Sequence, residues 1–177
     1  GVYPSIQKAR QKKTDLFLND KDEFMQVLVK DIHTFLRACK RKDKRPAIRL
    51  NGTSDIQWEY IEVDGYDNIF AMFPEVQFYD YTKIPTRKVS HIKNYHLTWS
   101  YSEANDKYAK WYDKIAYNIA VVFNGAFPIY FKGREVVNGD ETDLRFLDKS
   151  NVVVGLTHKK TNGREQIITD DSFIIKQ

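Results

Sequence analysis

The stretch Tyr117-Asn118-Ile119-Ala120-Val121-Val122-Phe123, closed by Asn124-Gly125, decides the reading of the fold. It is apolar at almost every position, and a turn signal follows it directly. A strand with one wet face alternates apolar and polar residues. A run without alternation is covered on both faces, as in the parallel sheets of α/β proteins. Asn151 to Thr157 repeats the pattern, with Val-Val-Val-Gly-Leu in its middle, and runs into His158, Lys159 and Lys160.

Outward from these two segments lie three more strand-like runs: Ala47 to Leu50, Val76 to Tyr81 and Tyr95 to Ser100. Each delivers polar groups at its C-terminal end, which in parallel architectures is the edge where ligands bind. Five strands with helical stretches between at least some of them favour a parallel sheet. The expectation is a single α/β domain over residues 1–177, built as a partial (β/α) barrel or an open sheet. A complete eight-stranded barrel does not fit about five units. Phe127–Gly133 and Arg134–Gly139 form a small β-hairpin insertion, with turns at Lys132-Gly133 and Asn138-Gly139.

Helices are read from caps and spacing. Residues 5–18 suit a helix without a clean apolar stripe. Asp20 is a helix N-cap, with Glu23 three residues on. Phe24, Val27, Leu28, Ile32, Phe35 and Leu36 then mark one apolar face. Ile56 to Ile61 extends the chain, and Asn68 to Phe73 is a short helix stopped by Pro74. Ala104 to Ile115 reads as a helix with Tyr108, Trp111, Tyr112 and Ile115 on one side. Ile167-Ile168 and Phe173-Ile174-Ile175 suggest an added edge strand.

Composition narrows the class. The 177 residues are 42% hydrophobic and 29% charged, ordinary for a globular chain. Aromatics reach 14%, enough for core packing and for stacking on a flat ligand. The net charge of +4 is compatible with a phosphate-bearing partner. Its densest run, Arg37, Lys40, Arg41, Lys42, Lys44 and Arg45, falls where a helix should end. Those cations either face the helix dipole or contact nucleic acid. Lys8, Arg10, Lys12 and Lys13 form a second basic group. Cys39 is the one cysteine, so the chain has no internal disulfide and no cysteine-built zinc or iron–sulfur site. A reducing, cytoplasmic compartment follows from that usage. No run of 18 apolar residues is present to span a membrane. The chain opens at Gly1 without Met and reads as lacking a natural N-terminal segment.

The groups gathered at the strand ends define the candidate site. Asp55, Asp80 and Lys83 are the catalytic candidates. Asn51, Gly52, Thr53, Ser54, Ser102, Glu103, Asp143, Arg145 and His158 are the ligand-binding ones. Carboxylates, hydroxyls, amides and cations in one place can fix a polar ligand from several directions. Asn51–Asp55 equally suits an Asx or Ser/Thr turn that only caps the next segment. Asp80 and Lys83 either pair with each other or act as acid and base in a cleft. Asp55, Asp80, Glu103 and Asp143 are hard oxygen ligands suited to Mg2+, but their spacing is not diagnostic, and no metal is assigned. His33 reads as structural, and His91 and His96 lie at the wrong strand end for a site. Neither a Gly-x-Gly-x-x-Gly loop nor a Walker-type phosphate loop is present.

Arg49-Leu50-Asn51-Gly52-Thr53-Ser54-Asp55-Ile56, Phe78-Tyr79-Asp80-Tyr81-Thr82-Lys83, Asn94-Tyr95-His96-Leu97-Thr98 and Asp143-Leu144-Arg145-Phe146-Leu147-Asp148 resemble blocks of a phage and prophage protein group similar to the gene-product-88-like proteins. The blocks span about Gln7 to Leu156. The resemblance implies a phage or mobile-element origin, a host-cytoplasmic setting and a radical-S-adenosylmethionine-like partial barrel. It also implies a cysteine-rich segment before the region of Gln7–Thr14. An iron–sulfur cluster and S-adenosylmethionine would belong here only with such cysteines upstream of Gly1.

Two functional readings stand at this point. In the first, a phage-encoded α/β protein binds a small polar, phosphate-bearing or nucleotide-like ligand at its strand ends, either as a binder or as the barrel part of a radical-type enzyme. In the second, a non-enzymatic module engages nucleic acid or a host protein through the basic run.

Overall fold

A computed structural model describes residues 3–101, 112–158 and 174–176. The chain divides into two compact units, residues Gly1–Ala47 with Trp58–Val76, and residues Ile48–Gln57 with Gln77–Gln177.

The first unit is helical. Helix α1 (Pro4–Asn19) carries proline in its first turn, where the missing N–H costs nothing. Helix α2 (Lys21–Arg41) follows after the single residue Asp20. The Asp20 carboxylate accepts from the Glu23 N–H at 2.9 Å, as the sequence implies, while the Asp20 N–H closes α1 on the Leu16 carbonyl. Asp20→Ala should therefore cost about 1 kcal/mol, read as a lower urea midpoint with an unchanged slope.

The buried stripe of α2 differs from the expected one. Met25, Val29, Ile32 and Cys39 are buried, whereas Val27 and Phe35 are 43% and 40% exposed. The segment is apolar enough to draw two stripes. Val27 stands about 200° around the helix from Met25 and cannot share its face. Ile56 to Ile61 is not extended throughout, because Trp58–Tyr60 closes a 3-10 turn. That turn sets the Trp58 ring 5.9 Å from Phe17, which meets Phe24 edge-on at 5.2 Å. Helix α3 (Ile69–Met72) is short as expected, with the Asn68 side chain accepting from the Ala71 N–H at 3.0 Å.

The second unit is a sheet. Its strands are β1 (Ala47–Ile48), which leads into it, β2 (Gln77–Thr82), β3 (Tyr95–Ser100), β4 (Asn118–Asn124), β5 (Tyr130–Phe131), β6 (Arg134–Asn138), β7 (Val153–Thr157) and β8 (Ile174–Lys176). The order is β1-β2-β3-β4-β7-β6-β5, with β8 beside β4. Strands β2, β3, β4, β7 and β6 are parallel neighbours, so the fold is mixed α/β with a mainly parallel sheet. The sheet is not closed, since β1 and β5 stand at opposite ends. The β5–β6 hairpin is present, turning through Lys132 and Gly133 at φ +46° and +82°. Two left-handed residues are what a tight two-residue hairpin turn demands. Strand β6 also joins the main sheet against β7.

The central strand β4 is buried along most of its length, as its unbroken apolar run requires. Its one edge is covered by β7 over Ile119–Phe123. Its other edge is shared, β3 covering Asn118–Ala120 and β8 covering Val122–Asn124. The tail strand is thus added beside the central strand, with β4 as its one neighbour among the described strands. Most of the expected Ala104–Ile115 helix, together with Ile167-Ile168, lies outside the described residues. Within them, Tyr112–Lys114 forms a 3-10 turn.

Side chains of a parallel sheet share faces along the register. One face carries Trp99, Ile119, Val121, Phe123 and Val153 in an aromatic-rich core with Tyr101 and Tyr112. The opposite face carries Tyr79, Tyr81, His96, Thr98, Ser100 and Asn118, and turns apolar at buried Ala120 and Val154. The segment after β6 covers it, with Phe146 5.5 Å from the Tyr79 ring. Among the described residues, no helix is long and apolar enough to cross a membrane.

Candidate functional site at the strand ends

Parallel pairing brings the C-terminal ends of β2, β3, β4, β6 and β7 to one edge of the sheet. Two adjoining hollows open there. The smaller, about 390 Å³, is lined by Arg49, Asn51–Asp55, Tyr81–Lys83 and Ser100. The larger, about 670 Å³, is lined by Arg49, Tyr81, Ser100, Gly139–Asp143 and Leu156. Arg49, Tyr81 and Ser100 belong to both, so the hollows are two lobes of one cleft.

Arg49 is the divider. Its guanidinium lies 4.6 Å from the Tyr81 ring centre and donates to Asp143 at 3.1 and 3.4 Å. A planar cation stacked on one side and bridged on another keeps its position and can hold an anion without reordering. Tyr79 and Tyr81 donate to the same Asp143 at 3.5 Å each. Burial pushes the Tyr81 hydroxyl up to about 12, although Arg145 and Arg49 pull the other way. Tyr81 therefore stays protonated and acts as a hydrogen-bond donor.

The Asn51–Asp55 loop is tied at both ends by carboxylates. Asp80 is fully buried on the face of β2 opposite Tyr79 and Tyr81. It accepts from the Asn51 N–H at 2.7 Å, from Asn51 Nδ2 at 3.4 Å and from the Tyr95 hydroxyl at 3.2 Å. Burial raises its carboxyl to about 6, against the opposing pull of those hydrogen bonds and of Arg49 and Arg87. Asp55 accepts from Thr82 Oγ1 at 3.1 Å and from the Lys83 N–H at 2.7 Å, and pairs with Arg87 at 3.1 Å. Arg87 in turn donates to the Tyr95 hydroxyl at 2.9 Å, linking the two carboxylates through buried groups. Inside the loop, Asn51 Oδ1 accepts from Ser54 Oγ at 2.9 Å and from the Ile56 N–H at 3.1 Å. The turn-forming role of Asn51 and the cleft-lining role of its neighbours are thus both realised.

The expected site residues fall into four groups. Asn51, Gly52, Thr53, Ser54, Asp55 and Lys83 line the smaller lobe, and Asp143 lines the larger. Asp80 lies behind the cleft, where it holds Asn51 instead of forming the exposed pair with Lys83 that the sequence allows. Arg145 is fully buried beneath the larger lobe, and His158, half-buried at the end of β7, donates its N–H to the Phe123 carbonyl at 3.0 Å. Ser102 and Glu103 lie outside the described residues. Arg37, Lys40, Arg41, Lys42, Lys44 and Arg45 gather around the end of α2 in the helical unit, all of them exposed.

Sequence reasoning missed Arg49, Tyr81 and Arg87. Arg49 had a signal, since it directly precedes the polar loop at a strand end. Arg87 had none, because only the fold brings it to Asp55. Among the described residues, no three His, Cys, Asp or Glu side chains are grouped to hold a metal ion. Cys39 is buried in α2, and as the single cysteine it cannot by itself hold an iron–sulfur cluster.

Within the smaller lobe, the Asp55 charge is answered by Arg87. The lobe keeps Arg49, Lys83, the Thr53 and Ser54 hydroxyls and open space at Gly52, where an added Cβ would meet nothing within 4 Å. That chemistry suits an anionic oxygen-rich group. In comparisons with known proteins, the family model described as gene product 88 matches residues 1–177. No curated protein and no solved structure matches the chain.

Proposed function

The chain belongs to the gene product 88 family, and from the chemistry of its strand-end cleft we propose that it is a phage-encoded binder of a small phosphate-bearing ligand. The observation that supports this reading most is the position of Arg49, stacked on Tyr81, bridged to Asp143 and shared by both lobes. The phosphate would sit against Arg49, Lys83 and the Thr53–Ser54 hydroxyls. Gly52 would let it approach the backbone closely.

Calorimetric titration with inorganic phosphate and with AMP tests the reading. The wild-type chain should bind at millimolar or lower concentration. Arg49→Gln should weaken binding at least about tenfold, the scale of one lost charge-assisted hydrogen bond. Gly52→Ala should fold normally, because its Cβ meets open space, yet bind more weakly because the lobe is narrowed. A wild-type chain that ignores both ligands would sink the proposal.

The basic run at the end of α2 supports a second reading, a module that contacts nucleic acid. No ion pair among the described residues engages these cations, and all six are exposed. Lys42→Glu with Lys44→Glu would then abolish salt-sensitive binding to DNA or RNA. Retention of that binding would count against it.

A further inference from the structure

The cation excess of the chain lies in its first two helices. Residues 1–47 hold twelve Lys and Arg against six Asp and Glu, whereas the rest of the chain holds sixteen against eighteen. Asymmetry of that kind points to a polyanionic partner. On α2 the charge is ordered. Lys30, Arg37 and Arg41 follow one another at spacings of seven and four, which sets them within about 40° on the helix and spreads them over about 16 Å. All three are exposed, and Lys40, also exposed, borders the row. Past Glu23 the one carboxylate of α2 is Asp31, about 100° around from Lys30. The Thr34 hydroxyl accepts from Arg37 Nη2 at 2.9 Å and donates to the Lys30 carbonyl at 2.9 Å, which holds the guanidinium along the row. Cations at a helix C-terminus answer the dipole, but that effect fades beyond the last turn, and Lys30 stands about three turns before Arg41.

The row has the form that a stiff polyanion takes. A nucleic-acid duplex presents about one charge per 1.7 Å of its axis. Single strands are instead held by rings on which their bases stack. The ring on this side of α2, His33, is spent edge-on against Phe73 at 5.1 Å, and exposed Phe35 stands about 200° around from Arg37. A membrane surface would need a continuous apolar face beside the cations. Met25, Val29 and Ile32 of α2 are buried in the core, and Val27 and Phe35 lie about 80° apart on the helix. We propose that the Lys30–Arg37–Arg41 row of α2 contacts the phosphate backbone of a nucleic-acid duplex. This rests on the nucleic-acid reading above and names the form of nucleic acid for it.

Fluorescence anisotropy of the full chain with a short labelled duplex, of DNA and of RNA, and with one strand of each alone tests the inference at about 0.05 and 0.2 M salt. Wild type should bind at least one duplex about tenfold or more tightly than its single strand. Lys30→Gln should weaken duplex binding about fivefold and lower the salt slope by about one, with an unchanged melting temperature. Lys93→Gln, which removes an exposed charge from the other unit, should keep the wild-type slope. No binding of wild type to any of these nucleic acids would overturn the nucleic-acid reading and this inference together. Single strands bound as tightly as the duplexes overturn this inference alone. So does a Lys30→Gln chain with wild-type affinity and slope, even where Lys42→Glu with Lys44→Glu abolishes binding. Vesicles rich in anionic lipid are the competing polyanion, and binding to them as tight as to the duplex would also overturn it.

Discussion

Asp80→Ala should lower stability by about 3–5 kcal/mol at pH 7, the range for removing one partner from a buried charged network. The substitution strands the Asn51 N–H, which sits 2.7 Å from the carboxylate, and the Tyr95 hydroxyl, 3.2 Å away. Both residues are buried. Asp80→Asn retains one acceptor and should cost less, and it separates the hydrogen bonds from the charge. In the wild type, burial pushes the folded carboxyl up to about 6, above the ordinary carboxylate range. The folded state therefore holds this proton more tightly than the unfolded chain does. The stability that the proton contributes is fully present below about pH 4 and is lost as pH rises to about 6, amounting to roughly 3 kcal/mol for a shift of about two units. Urea unfolding of wild type and Asp80→Asn across pH 4 to 7 should show their difference changing by that amount. Parallel pH curves for the two proteins would refute the assignment.

Gly139→Ala is expected to cost about 3 kcal/mol, the upper end for forcing extra volume into a packed site. Its Cβ would come within 2.4 Å of Val154 Cγ1, 2.8 Å of Arg145 Nη1 and 2.9 Å of the Gly155 carbonyl oxygen. The first two can yield only by displacing buried side chains, and the third is backbone of β7. The Gly139 N–H is itself committed to the Gly155 oxygen at 2.8 Å, so the chain cannot simply move away. A melting temperature within a degree or two of wild type would show that the β6 end relaxes freely. Gly139 is thus held by space and not by backbone angle, unlike Gly133, whose φ of +82° belongs to a turn.

The parallel sheet was legible because β4 and β7 announce themselves as unbroken apolar runs, and runs of that kind have few other homes. The hairpin was legible from Lys132-Gly133. The cleft-lining loop was legible too, because Asn51–Asp55 follows a strand directly. What sequence could not supply were relations across long separations. Arg87 reaches Asp55 only after the loop between β2 and β3 has closed, and nothing near Arg87 in the chain marks it. His96 sits at the start of a strand, the wrong end by the strand-end rule, yet it becomes part of a buried polar layer once Arg145 covers that face. The stripe of α2 was misdrawn for a related reason. An amphipathic helix with apolar residues on two flanks does not reveal which flank the fold will cover, and Val27 and Phe35 remained outside.

One feature of the sheet bears on how the chain is made. Strand β8 completes the edge of β4 that β3 leaves open, pairing Val122–Asn124 with Ile174–Lys176. Those partners are roughly fifty residues apart in order of synthesis, so the ribosome delivers β4 well before the strand that finishes it. During that interval an apolar strand offers unpaired N–H and C=O groups to any neighbouring chain. Yield from a crowded cell should therefore depend on the rate of elongation between the two strands.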